Sequence, residues 1–421
     1  MTNSPYQAAL DDIYATFMRV KHLNKGRFDR HARQPQRLLA IARLRGILPP
    51  SERTIKVSGS KGKGTTARIA SRMLQNQLPD AKIGLFVSPE EDDHNDRMRI
   101  NGVAMTRQQF AHHYERLKPQ LLQAETELTG ADYLSPLGIF LLIALDWFEA
   151  EGADYYVLET GRGVAYDEVG QLLSKVGILT SIMREHADKL GPALSDITRD
   201  KLTLCDTSEI VVTTPQVAST AQLKSNFKII APRVAPFDNL PKWLNLNNDL
   251  AVTGVAELLG CAAPIAPLSD WRDVSASFGL RPVNGHLYAF EGLIHTDSLD
   301  NDLLDRWQGD GVPTNVVASF PDDKDREPLL RLLKIRGWPV TECVLTGTRG
   351  YLDYARTEAD SCGSHVTFAY DDVAGFAAWL AARPAATAPG RTYLVGTQTY
   401  IRLIRNALAV MAQPGGHHDA P

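Results

Sequence analysis

The chain has 421 residues, more than one hydrophobic core usually serves, since single cores stop growing at roughly 250–300 residues; two domains are expected. With 44% hydrophobic and 22% charged residues it falls among ordinary globular proteins, which excludes disorder and fibrous repeats. The 45 basic and 49 acidic residues leave a net charge of −4, so there is no basic field for a nucleic-acid backbone.

Cys205, Cys261, Cys343 and Cys362 are scattered, with no Cys-x-x-Cys pair for zinc or redox chemistry. The apolar run Leu137 to Leu145 is far shorter than the ~20 residues that span a bilayer, and Met1-Thr2-Asn3-Ser4-Pro5 does not open a secretory signal. A cytoplasmic protein without membrane or nucleic-acid partners is expected, as a monomer or weak homodimer.

In chain order, helix is expected from Tyr6 to about Val20 and from Pro35 to Leu44, the second ended by Gly46 and Pro49-Pro50. Strands at Thr54–Ser58, Ala81–Val87, Tyr155–Glu159, Val176–Ile182 and Glu209–Thr214 then alternate with helices at Thr65–Gln77, Pro136–Ala150 and Leu194–Leu204. That alternation implies a mainly parallel sheet covered by helices, closed by a helix at about Leu246 to Leu259.

A loop from Arg281-Pro282 through Gly285 opens a second alternation, with strands at Tyr288–Thr296, Thr314–Ser319, Thr341–Leu345 and Thr392–Val395. Helices are expected at about Lys324–Arg336, Val373–Ala382 and Thr399–Val410. The fold class is therefore α/β: a P-loop-type, mainly parallel sheet domain over residues 1–280, a smaller Rossmann-like α/β domain over 281–412, and a flexible tail over 413–421.

Strand Ile55-Lys56-Val57-Ser58 runs into Gly59-Ser60-Lys61-Gly62-Lys63-Gly64-Thr65-Thr66, which continues as helix. Such a turn aims backbone N–H groups and a helix N-terminus at phosphate. The glycines admit close approach, Lys63 supplies a point charge for terminal phosphates, and the Thr65 hydroxyl suits Mg²⁺. The common P-loop has four residues between its first Gly and Gly-Lys, whereas two stand between Gly59 and Gly62 here. A Gly- and Lys-rich structural turn is the alternative on this pattern alone.

The loop resembles that of the folylpolyglutamate synthase and dihydrofolate synthase branch of the Mur ligase superfamily, whose spacing is Gly-x-x-Gly-Lys-Gly-Ser/Thr. Gly84-Leu85-Phe86-Val87-Ser88-Pro89 and Arg97-Met98-Arg99-Ile100-Asn101-Gly102 resemble two further family segments, in order and at similar separation. Leu158-Glu159-Thr160-Gly161-Arg162-Gly163, Thr180-Ser181-Ile182-Met183-Arg184-Glu185-His186 and Ile197-Thr198-Arg199-Asp200-Lys201 continue the likeness, which weakens after residue 215.

The resemblance implies ATP and Mg²⁺ as cofactors, with Thr65, Glu159, His186 and a carbamylated Lys201 around the metal. Lys63, Lys201 and His186 become the catalytic set. Asn248, within Leu246-Asn247-Asn248-Asp249, takes the place of an Asn near the nucleotide base, and Asp297 that of the Asp in the family's Asp-Gly-Ala-His-Asn-Pro loop. For Asn248 a capping role at a helix start is the alternative.

What the resemblance implies is an ATP-dependent ligase that joins a small-molecule carboxylic acid to an amine through an acyl phosphate and releases ADP and phosphate. A phosphotransferase and a catalytically weakened nucleotide-binding partner are the alternatives. The family's His after Ser-Pro is Glu90, followed by Glu91-Asp92-Asp93; an expected Arg is missing near Ala165; and Pro-Gly-Arg reads Asn284-Gly285-His286. Only a guanidinium gives the fixed fork that grips a carboxylate or phosphate, so a non-folate substrate suited to an acidic entrance is expected.

Overall fold

The computed structural model describes residues 4–220, 226–230, 241–261, 265, 277–292, 296, 299–321, 326–347, 364–383 and 390–412. Its compact units are Met1–Asp238 with Trp243–Val274, and Asn239–Lys242 with Ser275–Pro421. Each is a mainly parallel sheet with helices, the two-domain α/β architecture read from the alternation of patterns.

The first unit holds β1 (Thr54–Ser58), β2 (Ile83–Phe86), β3 (Met98–Ile100), β4 (Val103–Ala104), β5 (Tyr155–Glu159), β6 (Ser174–Leu179), β7 (Ser208–Thr213) and β8 (Phe227–Ile229). Their order is β4-β3-β2-β5-β1-β6-β7-β8. The pairs β2/β3 and β3/β4 are antiparallel, and the remaining pairs run parallel. Sequence reading missed β3, β4 and β8, each two or three residues long and without room for a periodic pattern.

β1 lies between β5 and β6, with Val57 opposite Glu159 and Ser58 opposite Leu179. This register brings the carboxyl ends of three strands together, where open α/β sheets bind ligands. The helix Pro136–Glu151 buries every residue from Gly138 to Phe148. Its all-round apolarity belongs to a core helix, with Ser135 accepting the Gly138 N–H at its start. The helix Arg107–Thr126, which sequence reading missed, starts in a capping box of Thr106 and Gln109.

The expected strand Val176–Ile182 stops at Leu179. Beyond it the Thr180 N–H still donates to Ser58 O, and Thr180 and Ser181 give their hydroxyls to the loop after β1. The helix expected at Leu246–Leu259 starts earlier, at Lys242. Asn247 and Asn248 therefore lie in its second turn, inside the helix rather than at its cap.

The second unit holds β9 (Phe278–Val283), β10 (His286–Gly292), β11 (Thr314–Ser319), β12 (Val340–Thr346), β13 (Ser364–Ala369) and β14 (Arg391–Gly396), ordered β13-β12-β11-β14-β10-β9. The expected loop through Arg281-Pro282 is instead the edge strand β9, antiparallel to β10. Pro282 is tolerated at an edge. Only Asn284 (φ 49) and Gly285 (φ 80) turn, a two-residue hairpin of the kind that needs positive φ at both positions.

Lys56, in the centre of β1, is fully buried. Its Nζ donates to Gly170 O (3.1 Å), Leu172 O (2.6 Å) and Thr207 Oγ1 (2.6 Å). Burial, only partly offset by Asp167, pulls the amine down from 10.5 to about 7. Between those values the unfolded chain binds a proton that the folded chain does not, so stability rises with pH across the window. Lys56→Met should flatten that rise by up to ~1.4 kcal/mol per pH unit, measured by urea denaturation from pH 7 to 9.5. Parallel curves for parent and variant would contradict this assignment.

Candidate active site

The loop after β1 is fastened to the end of β6. The Ser60 N–H donates to Ser181 O and the Lys61 N–H to Ser181 Oγ, both at 2.9 Å. The Thr180 hydroxyl donates to Lys61 O (2.7 Å), and Ser60 Oγ accepts the Met183 N–H (2.9 Å). A Cβ on Gly59, at φ +138°, would lie 2.0 Å from Thr180 Oγ1. One on Gly62, at φ +86°, would lie 2.4 Å from Asn247 Nδ2. Both glycines are thus required by close approach as well as by backbone angle.

The helix Lys63–Gln77 starts directly from this turn, and the Thr66 N–H closes its first bond on Gly62 O at 2.9 Å. The N–H groups of Lys63, Gly64 and Thr65 precede that bond and have no intrahelical acceptor, the general condition of a helix start. Thr65 is buried, and Thr66 Oγ1 is buried without a hydrogen-bond partner. Lys61 places its ammonium 5.1 Å from the centre of the Trp243 ring.

Glu159, at the end of β5, is 2% exposed. Its Oε2 accepts the Ser88 N–H at 2.8 Å and lies 3.1 Å from the Cβ position of Gly64, as does Arg68 Nη1. Burial raises the carboxyl above its ordinary range, while the charges of Lys63, Arg68 and Arg97 oppose that rise. Arg68 Nη1 and Glu159 Oε2 thus meet beside Gly64, in the first turn of the helix.

Lys201 is 1% exposed and ties the loop from below. Its Nζ donates to Gly59 O (2.9 Å) and pairs with Glu185 Oε1 (2.8 Å). Burial lowers the amine and the Glu185 charge opposes this; for Glu185, burial is outweighed by Lys201, Lys63 and His186, which hold its carboxyl low. His186, at φ 47°, lies 4.0 Å from the Glu185 carboxylate with a 41% exposed side chain. Glu185 was given no role by sequence reading; the only signal was its place between Arg184 and His186.

The run Glu90-Glu91-Asp92-Asp93 is not the bare acidic surface that its sequence suggests. Glu90 pairs with Arg97, and Glu91 with Arg68 at 2.6 Å and Arg99 at 3.9 Å. Asp93 pairs with Arg107 at 2.7 Å and accepts the Tyr6 hydroxyl at 2.8 Å. The Asp92 and Asp93 N–H groups both donate to Asp96 Oδ2. Arg68 on the preceding helix and Arg97, Arg99 and Arg107 after the run neutralise Glu90, Glu91 and Asp93.

Arg162, three residues before Ala165, is held in a fork by Asp29 at 2.8 and 2.6 Å. Arg33 is likewise committed to Glu168, at 2.6 Å, and Asp167, at 3.5 Å. Asn248 is buried on the helix whose neighbouring Asn247 abuts Gly62. Asp297 and Asp323-Lys324-Asp325 lie outside the described residues. Asn301 begins a helix and accepts from Arg336 Nη2 at 2.9 Å.

Hard oxygen donors suit Mg²⁺, which ordinarily takes one or two carboxylates plus nucleotide phosphates. Glu159 and the Thr65 hydroxyl fit that demand. Among the described residues no group of three or more His, Cys, Asp and Glu side chains is assembled for a metal, and Lys201 stands with Glu185.

The close approach at Gly59 gives a direct check on the loop. Gly59→Ala should cost about 1–3 kcal/mol through strain and displacement of Thr180. Gly64→Ala, whose Cβ meets side-chain tips at 3.1 Å, should cost less. Chemical denaturation of the two variants distinguishes them, and equal costs would contradict the described clamp.

No protein-family profile matches the chain. It is 28% identical over 186 residues to "Dihydrofolate synthase/folylpolyglutamate synthase" of Escherichia coli, covering 44% of this chain and 42% of that one. The chain spans less than half the length of the curated relatives it matches. Among solved structures, Escherichia coli FolC in complex with DHPP and ADP superposes with a TM-score of 0.71 at 20% identity, over 96% of this chain and 98% of that one. The bifunctional folylpolyglutamate synthase/dihydrofolate synthase of Yersinia pestis, complexed with AMPPNP and Mn ion, gives 0.65 at 20% identity, over 89% and 93%. Over part of its length the chain is similar in sequence to dihydrofolate synthase/folylpolyglutamate synthase proteins, and it shares the fold of their solved structures.

Proposed function

We propose that this protein is an ATP-dependent ligase that joins a carboxylic acid to an amine, forming ADP and phosphate. The observation that carries the reading is the loop Gly59 to Thr65, clamped on Ser181 with Lys63 and the buried Glu159 at its mouth. Solved structures of this fold hold ADP or AMPPNP with Mn ion, which supports ATP with Mg²⁺ here.

A carboxylate is a poor electrophile, and its phosphorylation gives an acyl phosphate that an amine attacks with loss of phosphate. When bound, Mg²⁺ supplies charge neutralisation for the transferring phosphoryl group. The chain's own share is positioning and electrostatics. Lys63 and the start of its helix receive the terminal phosphates, Thr65 and Glu159 offer oxygens to the metal, and Asn248 is assigned to the nucleotide base. His186 is assigned to the phosphate-facing rim beside Glu185.

For Lys201 we favour the unmodified ammonium. A carbamate would set a second anion against Glu185, whereas the ammonium satisfies both that carboxylate and Gly59 O. Its role is to hold the loop. Removing one partner of such a buried pair strands the other, at a cost of about 3–5 kcal/mol.

The acid or amine is assigned to a class other than folates. Ala165 stands where the family has an Arg, and neighbouring Arg162 and Arg33 are committed to Asp29 and to Glu168 with Asp167. These contacts take Arg162 and Arg33 away from a glutamate tail and leave the exposed Arg184, beyond the end of β6, as the alternative to the lost Arg.

Lys63→Ala should lower ATP turnover at least 100-fold while the melting temperature stays within about 2 °C of the parent, because a half-exposed lysine contributes little to stability. ADP release with MgATP and a pooled extract of small acids and amines measures the first quantity, and a thermal melt the second. Parent-like turnover in the variant would show that the loop does not work as assigned.

A further inference from the structure

The loop that follows β2 returns to Glu159 through Ser88, whose N–H donates to Glu159 Oε2 at 2.8 Å. The next two side chains that carry charge are Glu90 and Glu91. Each is spent on an arginine that also acts on Glu159: Glu90 on Arg97, and Glu91 on Arg68. These are not surface pairs. Side-chain exposure is 10% for Arg68, 10% for Arg97, 16% for Glu90 and 14% for Glu91.

Buried or half-buried guanidinium groups beside a phosphate loop are natural receptors for a carboxylate or phosphate on a substrate, because the planar fork matches either group. Here the protein fills that receptor itself. A substrate anion would have to displace an internal carboxylate held at 2.6 Å on Arg68, and would then leave that carboxylate close to Glu159, whose own burial already penalises its charge. A neutral or cationic group meets neither cost. Discrimination of this kind works by a built-in penalty against the wrong ligand as much as by attraction of the right one.

We propose that Glu90 and Glu91 are specificity-determining residues: their carboxylates occupy Arg97 and Arg68 as internal stand-ins, and so restrict this wall to a substrate that brings no carboxylate or phosphate group to it. The inference rests on the ligase reading for the word substrate, but the anion block itself is a property of these four side chains, with Arg99 3.9 Å from Glu91 and His94 3.6 Å from Glu90 beside them, and can be tested without turnover.

The probe is glutarate, a flexible dicarboxylate, titrated calorimetrically into the full chain in low-salt buffer. The parent should bind it at least tenfold more weakly than Glu90→Gln/Glu91→Gln. That gain should vanish when Arg68→Met and Arg97→Met are added to the double variant. Glu91→Gln alone should give an intermediate gain, and supplies the answer if the double variant melts early. A folded Glu91→Gln or double variant that binds glutarate no better than the parent would overturn the proposal, as would a gain that survives loss of both arginines. Failure of ATP turnover in every protein would count against the ligase reading and leave this comparison intact.

Discussion

Ser181 is the pin on which the site depends. Its backbone and hydroxyl oxygens take the Ser60 and Lys61 N–H groups, so the chain leaving β1 must fold tightly against the end of β6 before it can begin a helix. Gly59 and Gly62 are there because Thr180 and Asn247 stand where a side chain would be. Lys201 closes the arrangement from beneath through Gly59 O. With two loop N–H groups already used, the phosphate-facing donors fall to the helix start at Lys63, Gly64 and Thr65. On the proposed reading, a loop shorter than the common P-loop by two residues would offer its phosphate donors from the helix start.

Charge around that pin is balanced in pairs. Lys201 answers Glu185, Arg68 answers Glu91, Arg97 answers Glu90, and Arg162 answers Asp29. Lys63 Nζ lies 3.5 Å from Ser60 O, and the Glu159 carboxylate takes the Ser88 N–H beside Gly64. A run of four acidic residues thereby becomes part of the wall and ceases to be a repulsive entrance. On the proposed reading, occupied arginines and not a negative field would set the altered substrate preference.

The alternation of strands and helices was legible in the sequence because β1, β5, β7 and the core helix Pro136–Glu151 are dense in apolar and β-branched residues. So was the glycine- and lysine-rich turn between β1 and the helix Lys63–Gln77, since glycine and lysine at that spacing leave few other structures. What was not legible depends on tertiary partners. The strand β6 ends early because Thr180 and Ser181 are recruited by a loop more than a hundred residues away. Pro282 reads as a loop signal and sits in an edge strand. Glu185 looks like any acidic residue until Lys201 is buried against it, and the acidic run could not be discharged on paper without knowing where Arg68 and Arg97 point.

On the proposed reading this loop serves amide synthesis. The most direct measurement is mass spectrometry of the products formed when the protein, ATP and Mg²⁺ are incubated with pooled small acids and amines. The account predicts ADP, phosphate and a new compound lighter than the sum of its two parents by one water, absent when Lys63 is replaced by Ala. A phosphorylated acceptor with no amide, or AMP and pyrophosphate in place of ADP and phosphate, would contradict it.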